Sequence, residues 1–414
     1  MKILKNFSDG IFIRPLYSLI LIGGFFFITS CSNKGDSGKL EFKKAEAVRV
    51  YANLVYNNYH DALVAAQSMQ AAIKSMTENP SEETLSAAKQ AWLNAREPYG
   101  QSEAFRFYGG PIDDEDGPEG RINAWPLDES YIDYVNIASN GDNPMDNANT
   151  NIINSPETFP EITTELIASL NEAGGETNVS AGFHAIEFLL WGQDVSRGAG
   201  GGERGFSDYV VGGAVANADR RAAYINAAAD LLVTDLQSLL DEWAPESEFR
   251  INFTSDDEVN NSLEKIISGI GKFSKGELAG ERMFVAWDLK SKEDEHSCFS
   301  DNTHRDIINN ELGIENVYLG RYLKTDGSVI DGVGIDEVVA IVNPELDSEM
   351  KVLLEAGLSS VKAIQAPFDQ EILGLDSDPG RVRIKSAFNI LRAQGDKLAQ
   401  IASALGYNLN PNAF

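Results

Sequence analysis

The chain has few cysteines, few histidines and few basic residues. Among 414 residues it has two Cys and four His, and 34 Lys and Arg stand against 63 Asp and Glu. The formal net charge of −29 argues against nucleic-acid binding, because such a surface repels phosphate backbones and attracts cations. The sequence also lacks a C-x-x-C pair, a G-x-S-x-G elbow and a phosphate-binding loop, so the common thiol-redox, serine-hydrolase and nucleotide-binding signatures are absent.

The N-terminus predicts export and lipid anchoring. Three basic residues precede the apolar stretch 19–28, which is too short to span a membrane and indicates a signal peptide over residues 1–30. Small residues then lead into Cys31, and this pattern resembles the cleavage site of bacterial lipoproteins, where the cysteine is acylated. We expect Cys31 to hold the protein in the cell envelope, at the outer membrane facing the periplasm or the exterior. Residues 31–40 would be a flexible tether, and an ordinary secretory peptide is the alternative.

Cys298 has no cysteine partner if Cys31 is acylated, so no internal disulfide is expected.

Apolar residues recur every three or four positions over 45–76, 224–243, 259–273, 350–364 and 384–405, which is the periodicity of amphipathic helices. The fold class is therefore predicted to be all-α. The glycine-rich segment 198–205 is the best candidate boundary between an N-terminal helical bundle, residues 41–200, and a C-terminal one, residues 201–414.

Two local features complicate this prediction. Pro98 should kink or interrupt the helix that begins after Ser81, because proline lacks the N–H that a helix needs. The best strand-like alternation is short and falls at residues 338–342.

The segment 181–191 is apolar except for His184 and Glu187, which indicates a buried helix. The two side chains are three residues apart, so they share one helical face and could bind one metal ion. A buried carboxylate requires a partner, which is a metal, an arginine or His184 itself. The alternative is a neutral histidine hydrogen-bonded to Glu187 in the core. Zinc peptidases need a second helical histidine, and Phe188 stands where one such motif would place it.

The segment 293–304 contains His296, His304 and Cys298 among acidic residues. These side chains could bind a metal, or Ser300 or Asp301 could simply cap the helix that follows. A third candidate is the stripe Trp92, Arg96, Tyr99, Glu103 and Arg106, whose members share one face if the helix continues past Pro98. It could complete a polar site or form a closed ion-pair network.

Several ordered stretches resemble the imelysin-like family. The resemblance rests on segments 92–107, 110–113 and 122–134, on the G-x-H-x-x-E stretch 182–194, and on segment 297–304. It implies two helical-bundle domains with a cleft between them, a link to iron uptake and a metallopeptidase assignment. By the same resemblance, His184 and Glu187 are the metal ligands. Glu103, Arg106, Asp301 and His304 are then candidates to line the cleft.

Two functions follow as hypotheses. The first is capture of iron, or of a small iron-bearing ligand, for delivery to a transporter, since carboxylates and imidazoles suit iron, and zinc is possible. The second is a metal-dependent peptidase in which Glu187 or Glu103 acts as general base. A structural lipoprotein whose polar core only fixes helix register is a third, weaker alternative.

Overall fold

The computed structural model describes residues 33–135, 151–195 and 201–407, and for residues 33–37 the backbone alone. The predicted signal peptide 1–30, Cys31 and part of the tether lie outside the described residues. Within these ranges no helix combines the length and apolarity needed to cross a bilayer.

Helices account for nearly all of the regular structure. In chain order they are α1 (Asn33–Glu78), α2 (Glu82–Ser102), α3 (Glu119–Asn123), α4 (Glu129–Ile132), α5 (Thr164–Leu170), α6 (Gly182–Trp191), α7 (Ala218–Glu242), α8 (Glu248–Phe253), α9 (Val259–Lys272), α10 (Ala286–Leu289), α11 (Thr303–Leu319), α12 (Ile335–Val342), α13 (Pro344–Lys362), α14 (Phe368–Ile372) and α15 (Pro379–Ala404). Short 3-10 turns cover Glu103–Phe105 and Phe206–Tyr209, and a π-helical stretch covers Phe273–Val285. The predicted all-α class is confirmed.

The ends of α1 and α2 follow from local chemistry. Helix α1 ends just before the Asn79-Pro80 pair, and Ser81 then caps α2. The Ser81 side chain accepts from the Thr84 backbone N–H, and the Thr84 hydroxyl accepts from the Ser81 N–H, so two otherwise unpaired donors are satisfied.

Helix α2 passes through Pro98, where an interruption was predicted, and ends at Ser102. Pro98 removes one helical hydrogen bond, but the buried face of α2 packs against α11, and Asn58 donates its side-chain amide to the Pro98 carbonyl over 2.8 Å. Tertiary contacts therefore outweigh the local cost of the proline. The residues of the predicted stripe, Trp92, Arg96, Tyr99, Glu103 and Arg106, are all buried.

The strand-like alternation at residues 338–342 does not form a strand, because this segment belongs to α12. Ile335, Val338 and Val339 are buried and follow helical spacing, which a short alternating run does not distinguish from strand spacing. The strands in the described part are β1 (Arg321–Leu323) and β2 (Val329–Asp331), which form one antiparallel pair in which Tyr322 faces Ile330.

Elements from both sides of the proposed boundary near residue 200 pack directly on one another. Helix α2 contacts α11, α6 contacts α7, and the described residues from Leu40 onward form one compact unit. The division into bundles 41–200 and 201–414, with a cleft between them, stays a prediction.

Helix α6 lies in the interior, with all ten of its residues buried. The Trp92 indole of α2 donates to the Phe183 carbonyl over 2.9 Å, and the Tyr224 hydroxyl of α7 donates to the Ser180 carbonyl over 2.7 Å. Gly182 begins the helix with φ +83°, and a Cβ there would lie 2.4 Å from the Ile122 carbonyl oxygen. Glycine is therefore required for the close approach of α6 to α3.

Candidate metal centre

His184 and Glu187 form a hydrogen-bonded pair on one face of α6. Nδ1 of His184 lies 2.9 Å from Oε2 of Glu187. The other oxygen, Oε1, accepts from both the backbone N–H and the hydroxyl of Ser300, over 2.9 and 2.6 Å. Both oxygens of Glu187 are thus already engaged. Nε2 of His184 is buried and has no hydrogen-bond partner among the residues that the structure describes.

His296 lies directly against His184. Their ring centroids are 4.7 Å apart and the rings meet edge to face at 71°. Nδ1 of His296 lies 2.9 Å from Oδ2 of Asp306, and Nε2 lies 3.3 Å from the Asn123 side-chain nitrogen. Both histidines therefore pair through Nδ1 with a carboxylate. In metal sites this pairing fixes the ring and leaves Nε2 to bind the ion, which describes Nε2 of His184, whereas Nε2 of His296 would first have to give up its contact with Asn123.

A small cavity adjoins the two rings. Its volume is about 20 Å³, which holds about one water-sized atom, and its lining includes His184, His296, Trp125 and Cys298. The Trp125 ring meets the edge of His296 with centroids 5.2 Å apart. Two imidazoles and a single-atom space fit a borderline metal ion. However, within the described ranges no group of three or more His, Cys, Asp or Glu side chains is arranged to hold one.

The electrostatics favour a neutral imidazole at this position. Burial lowers the pKa of His184 well below its usual value, and the neighbouring His296 and Arg96 lower it further. Burial likewise lowers the pKa of His296, with Arg282 and Arg96 adding to the effect. A neutral imidazole keeps the lone pair that a metal requires.

Glu187 shows the opposite shift. Burial raises its pKa to about 8, although the hydrogen bonds from Ser300 partly offset the rise. Near neutral pH the Glu187 carboxyl group is therefore neither firmly ionised nor firmly neutral, whereas the imidazole of His184 stays neutral.

Glu103 belongs to the same buried network but not to the cavity lining. Its carboxylate accepts from Arg282, from Arg106 over 3.3 Å and from the side chain of Asn123 over 3.3 Å. Burial alone would raise its pKa, but its neighbours, Arg282 foremost and then His296 and Arg96, together outweigh that effect and the pKa falls to about 2. Since Asn123 also contacts His296, one amide side chain links this ion-pair cluster to the histidine pair.

The other candidate residues do not line the small cavity. Arg106 forms an ion pair with Glu119 over 2.7 Å at the edge of a surface pocket. Nδ1 of His304 lies 3.2 Å from the Asp301 carbonyl oxygen, and neither residue lines the small cavity. Ser300, considered from sequence as a helix cap, contacts Glu187 instead, and α11 begins after Asn302.

The site residue that the sequence did not single out is His296. It stands in the acidic segment recognised as a candidate, where no local signal favours it over His304. The structure separates the two, because His296 is buried and pairs with Asp306, whereas His304 is only partly buried.

Comparisons with known proteins agree on one family. The imelysin family model (Peptidase M75) matches residues 55–398. Iron-regulated protein A of Synechococcus elongatus is 24% identical over 356 residues, which cover 83% of this chain and 82% of that protein. The crystal structure described as an iron-regulated protein A precursor from Parabacteroides distasonis has a TM-score of 0.67 at 20% identity and covers 88% of this chain and 95% of its own. An imelysin-like protein from Psychrobacter arcticum gives 0.58 at 14%, covering 90% and 98%.

Proposed function

From the premise that the chain belongs to the imelysin family, we propose that it is a lipid-anchored envelope protein that binds iron beside His184 and His296 for uptake. The observation that carries the proposal is the buried Nε2 of His184, which has no hydrogen-bond partner among the described residues and belongs to a ring that lines a cavity of about 20 Å³. A buried polar atom without a partner is costly, and a bound ion would satisfy it. The name of the Synechococcus relative supports the link to iron.

The chain's own residues would hold and orient the ligand atoms. Glu187 and Asp306 fix the two imidazole rings through Nδ1, and Ser300 fixes Glu187 in turn. Imidazole ligands suit iron and also zinc, so the identity of the ion depends on which metal is available in the envelope. Anchoring through Cys31 and delivery to an iron transporter are parts of the same proposal.

The test is metal binding by the purified full-length protein in detergent. We expect Fe²⁺, added anaerobically, to bind with a stoichiometry near one, and His184→Ala to abolish that binding while the far-ultraviolet circular dichroism stays unchanged. Zn²⁺ should compete for the same site. Iron affinity that is equal in wild type and His184→Ala would refute the proposal.

A second candidate function is metal-dependent peptide hydrolysis, in which a bound metal would polarise the attacking water. One observation favours it: the pKa of Glu187 near 8 suits a general acid or base at neutral pH. Cleavage of an unfolded protein substrate that is lost both with a chelator and in Glu187→Gln would support this function. Proteolysis that persists in Glu187→Gln would exclude it.

A further inference from the structure

A second, larger pocket opens beside the histidine cavity. It has a volume of about 260 Å³ and shares Trp125 and Pro126 with the small cavity. The rest of its lining is mainly acidic and contains Glu119, Glu172, Glu277 and Glu281 together with Arg106.

The charges of this pocket are not balanced. Arg106 pairs with Glu119 over 2.7 Å, and Arg282 pairs with Glu277 over 2.9 Å. Both arginines also contact the buried Glu103, so their positive charge is shared with another carboxylate.

The two remaining acids, Glu172 and Glu281, are exposed and form no ion pair in the part of the chain that the structure describes. A concave surface lined by one sign of charge raises the local concentration of the opposite ion.

Only a thin wall separates this pocket from His296. Asn123 lines the pocket and its side-chain nitrogen lies 3.3 Å from Nε2 of His296. Trp125 lines both spaces and meets the His296 ring edge to face. Trp125 and His296 line the small cavity together with His184, whose buried Nε2 has no hydrogen-bond partner among the described residues. The acidic pocket therefore adjoins the cavity that contains this unpartnered imidazole.

We infer that the pocket lined by Glu172 and Glu281 is a vestibule that collects cations for the His184–His296 cavity, and that the cargo arrives as a free aquated divalent cation. The identity of the cargo rests on the proposed iron binding. An anionic metal chelate would be repelled by the same glutamates, so it would be a poor donor. Trp125 and Asn123 form the wall that the ion must pass.

The first test measures loading rates. Fe²⁺ is mixed anaerobically with the full-length protein, and free iron is trapped at intervals with a coloured chelator. We expect Glu172→Gln/Glu281→Gln to load about fivefold more slowly at about 10 mM salt, and the difference to vanish near 0.5 M, where charges are screened.

The matched control is Glu345→Gln/Glu355→Gln, which removes two exposed acids from α13 and should load as wild type does. Wild type should also take iron more slowly from ferric citrate than as Fe²⁺. Equal rates for the vestibule variant and wild type at low salt, or equal uptake from the anionic chelate, would overturn the inference.

The second test does not require metal binding at the histidines. Hexaamminecobalt(III) is an exchange-inert trication that cannot bond to imidazole, and we expect it to shift the indole N–H resonance of Trp125 in wild type and in His184→Ala, but not in Glu172→Gln/Glu281→Gln. If Fe²⁺ fails to bind while this shift is seen, the proposed iron binding is refuted and the inference of a cation-collecting vestibule is still supported. If the shift is equally large in the vestibule variant, the vestibule is refuted.

Discussion

His184 and His296 meet edge to face with their ring centroids 4.7 Å apart, and each ring is held through Nδ1 by a carboxylate at 2.9 Å. One carboxylate, Glu187, is on α6, and the other, Asp306, is on α11. The rings are thereby oriented before any ligand binds, so binding costs little side-chain entropy.

His296→Ala should weaken metal binding as strongly as His184→Ala. Removal of either imidazole should reduce the metal affinity by more than the about 10- to 100-fold that follows removal of a residue that only orients a ligand. Equilibrium dialysis with Fe²⁺ and Zn²⁺ measures the affinity. His304→Ala is the matched control, because His304 contacts the Asp301 carbonyl and does not line the cavity. If His304→Ala lost affinity and His296→Ala did not, the assignment would be reversed.

Glu187→Gln should reduce metal affinity about 10- to 100-fold, because Glu187 orients His184 and its oxygens are already engaged. Ser300→Ala, which removes one hydrogen bond to Glu187, should have a smaller effect in the same direction. Both affinities can be measured by isothermal titration calorimetry. A larger loss in Glu187→Gln than in His184→Ala would identify Glu187 as a direct ligand.

Glu103→Gln should lower the free energy of unfolding by about 3 kcal/mol at pH 7. The pKa of this buried carboxyl is about 2 in the folded protein against a reference of 4.5, and each unit corresponds to about 1.4 kcal/mol. Because the folded pKa is depressed, the stabilisation is complete above pH 4.5 and is lost as pH falls toward 2.

The difference between wild type and Glu103→Gln should therefore shrink as the pH falls from 4.5 to 3, as measured by urea unfolding. Glu345→Gln, at an exposed position, should differ little from wild type at any pH. A difference for Glu103→Gln that stays constant with pH would contradict the ion-pair explanation.

Gly182→Ala should destabilise the fold by about 2–4 kcal/mol. The positive φ disfavours any residue with a Cβ, and the new atom would collide with the Ile122 carbonyl. Thermal unfolding measures the effect. Gly280→Ala is the control, since its Cβ would approach no closer than 3.6 Å to a neighbour. Equal melting temperatures for the two variants would show that α6 and α3 can separate at little cost.

Cys31→Ser should release the protein from the membrane fraction and abolish labelling by radioactive palmitate, because the thiol is the expected acylation site. Cys298→Ser should leave both properties unchanged. If Cys31→Ser stays in the membrane fraction, the protein is attached to the membrane by something other than a lipid on Cys31.

Much of the helical architecture could be predicted because apolar spacing is a local property. The run from Val48 to Met76 and the buried helix around His184 fall where periodicity placed them. The helical structure at Pro98 and at residues 338–342 could not be predicted in this way. At Pro98, packing of α2 against α11 outweighs the local cost of proline in a helix. At residues 338–342, a run of five residues fits both the helical and the strand period.

The candidate site was only half visible in the sequence. The spacing of His184 and Glu187 predicted one shared helical face, and they do lie 2.9 Å apart. Nothing local indicates that Ser300 reaches Glu187 or that His296, rather than His304, lies against His184. Those contacts arise from the packing of segments that are distant in the chain, which a single sequence does not reveal.

The edge-to-face contact between the Trp125 and His296 rings makes the fluorescence of Trp125 a reporter of the cavity. Indole emission is quenched by a paramagnetic ion within a few ångströms. Iron in the cavity would therefore quench the fluorescence of Trp125, whereas zinc, with its filled d shell, would not. The chain has five tryptophans. Tryptophan fluorescence that decreases when iron binds and returns when zinc replaces the iron would report metal in the cavity, without isotopes or chelators.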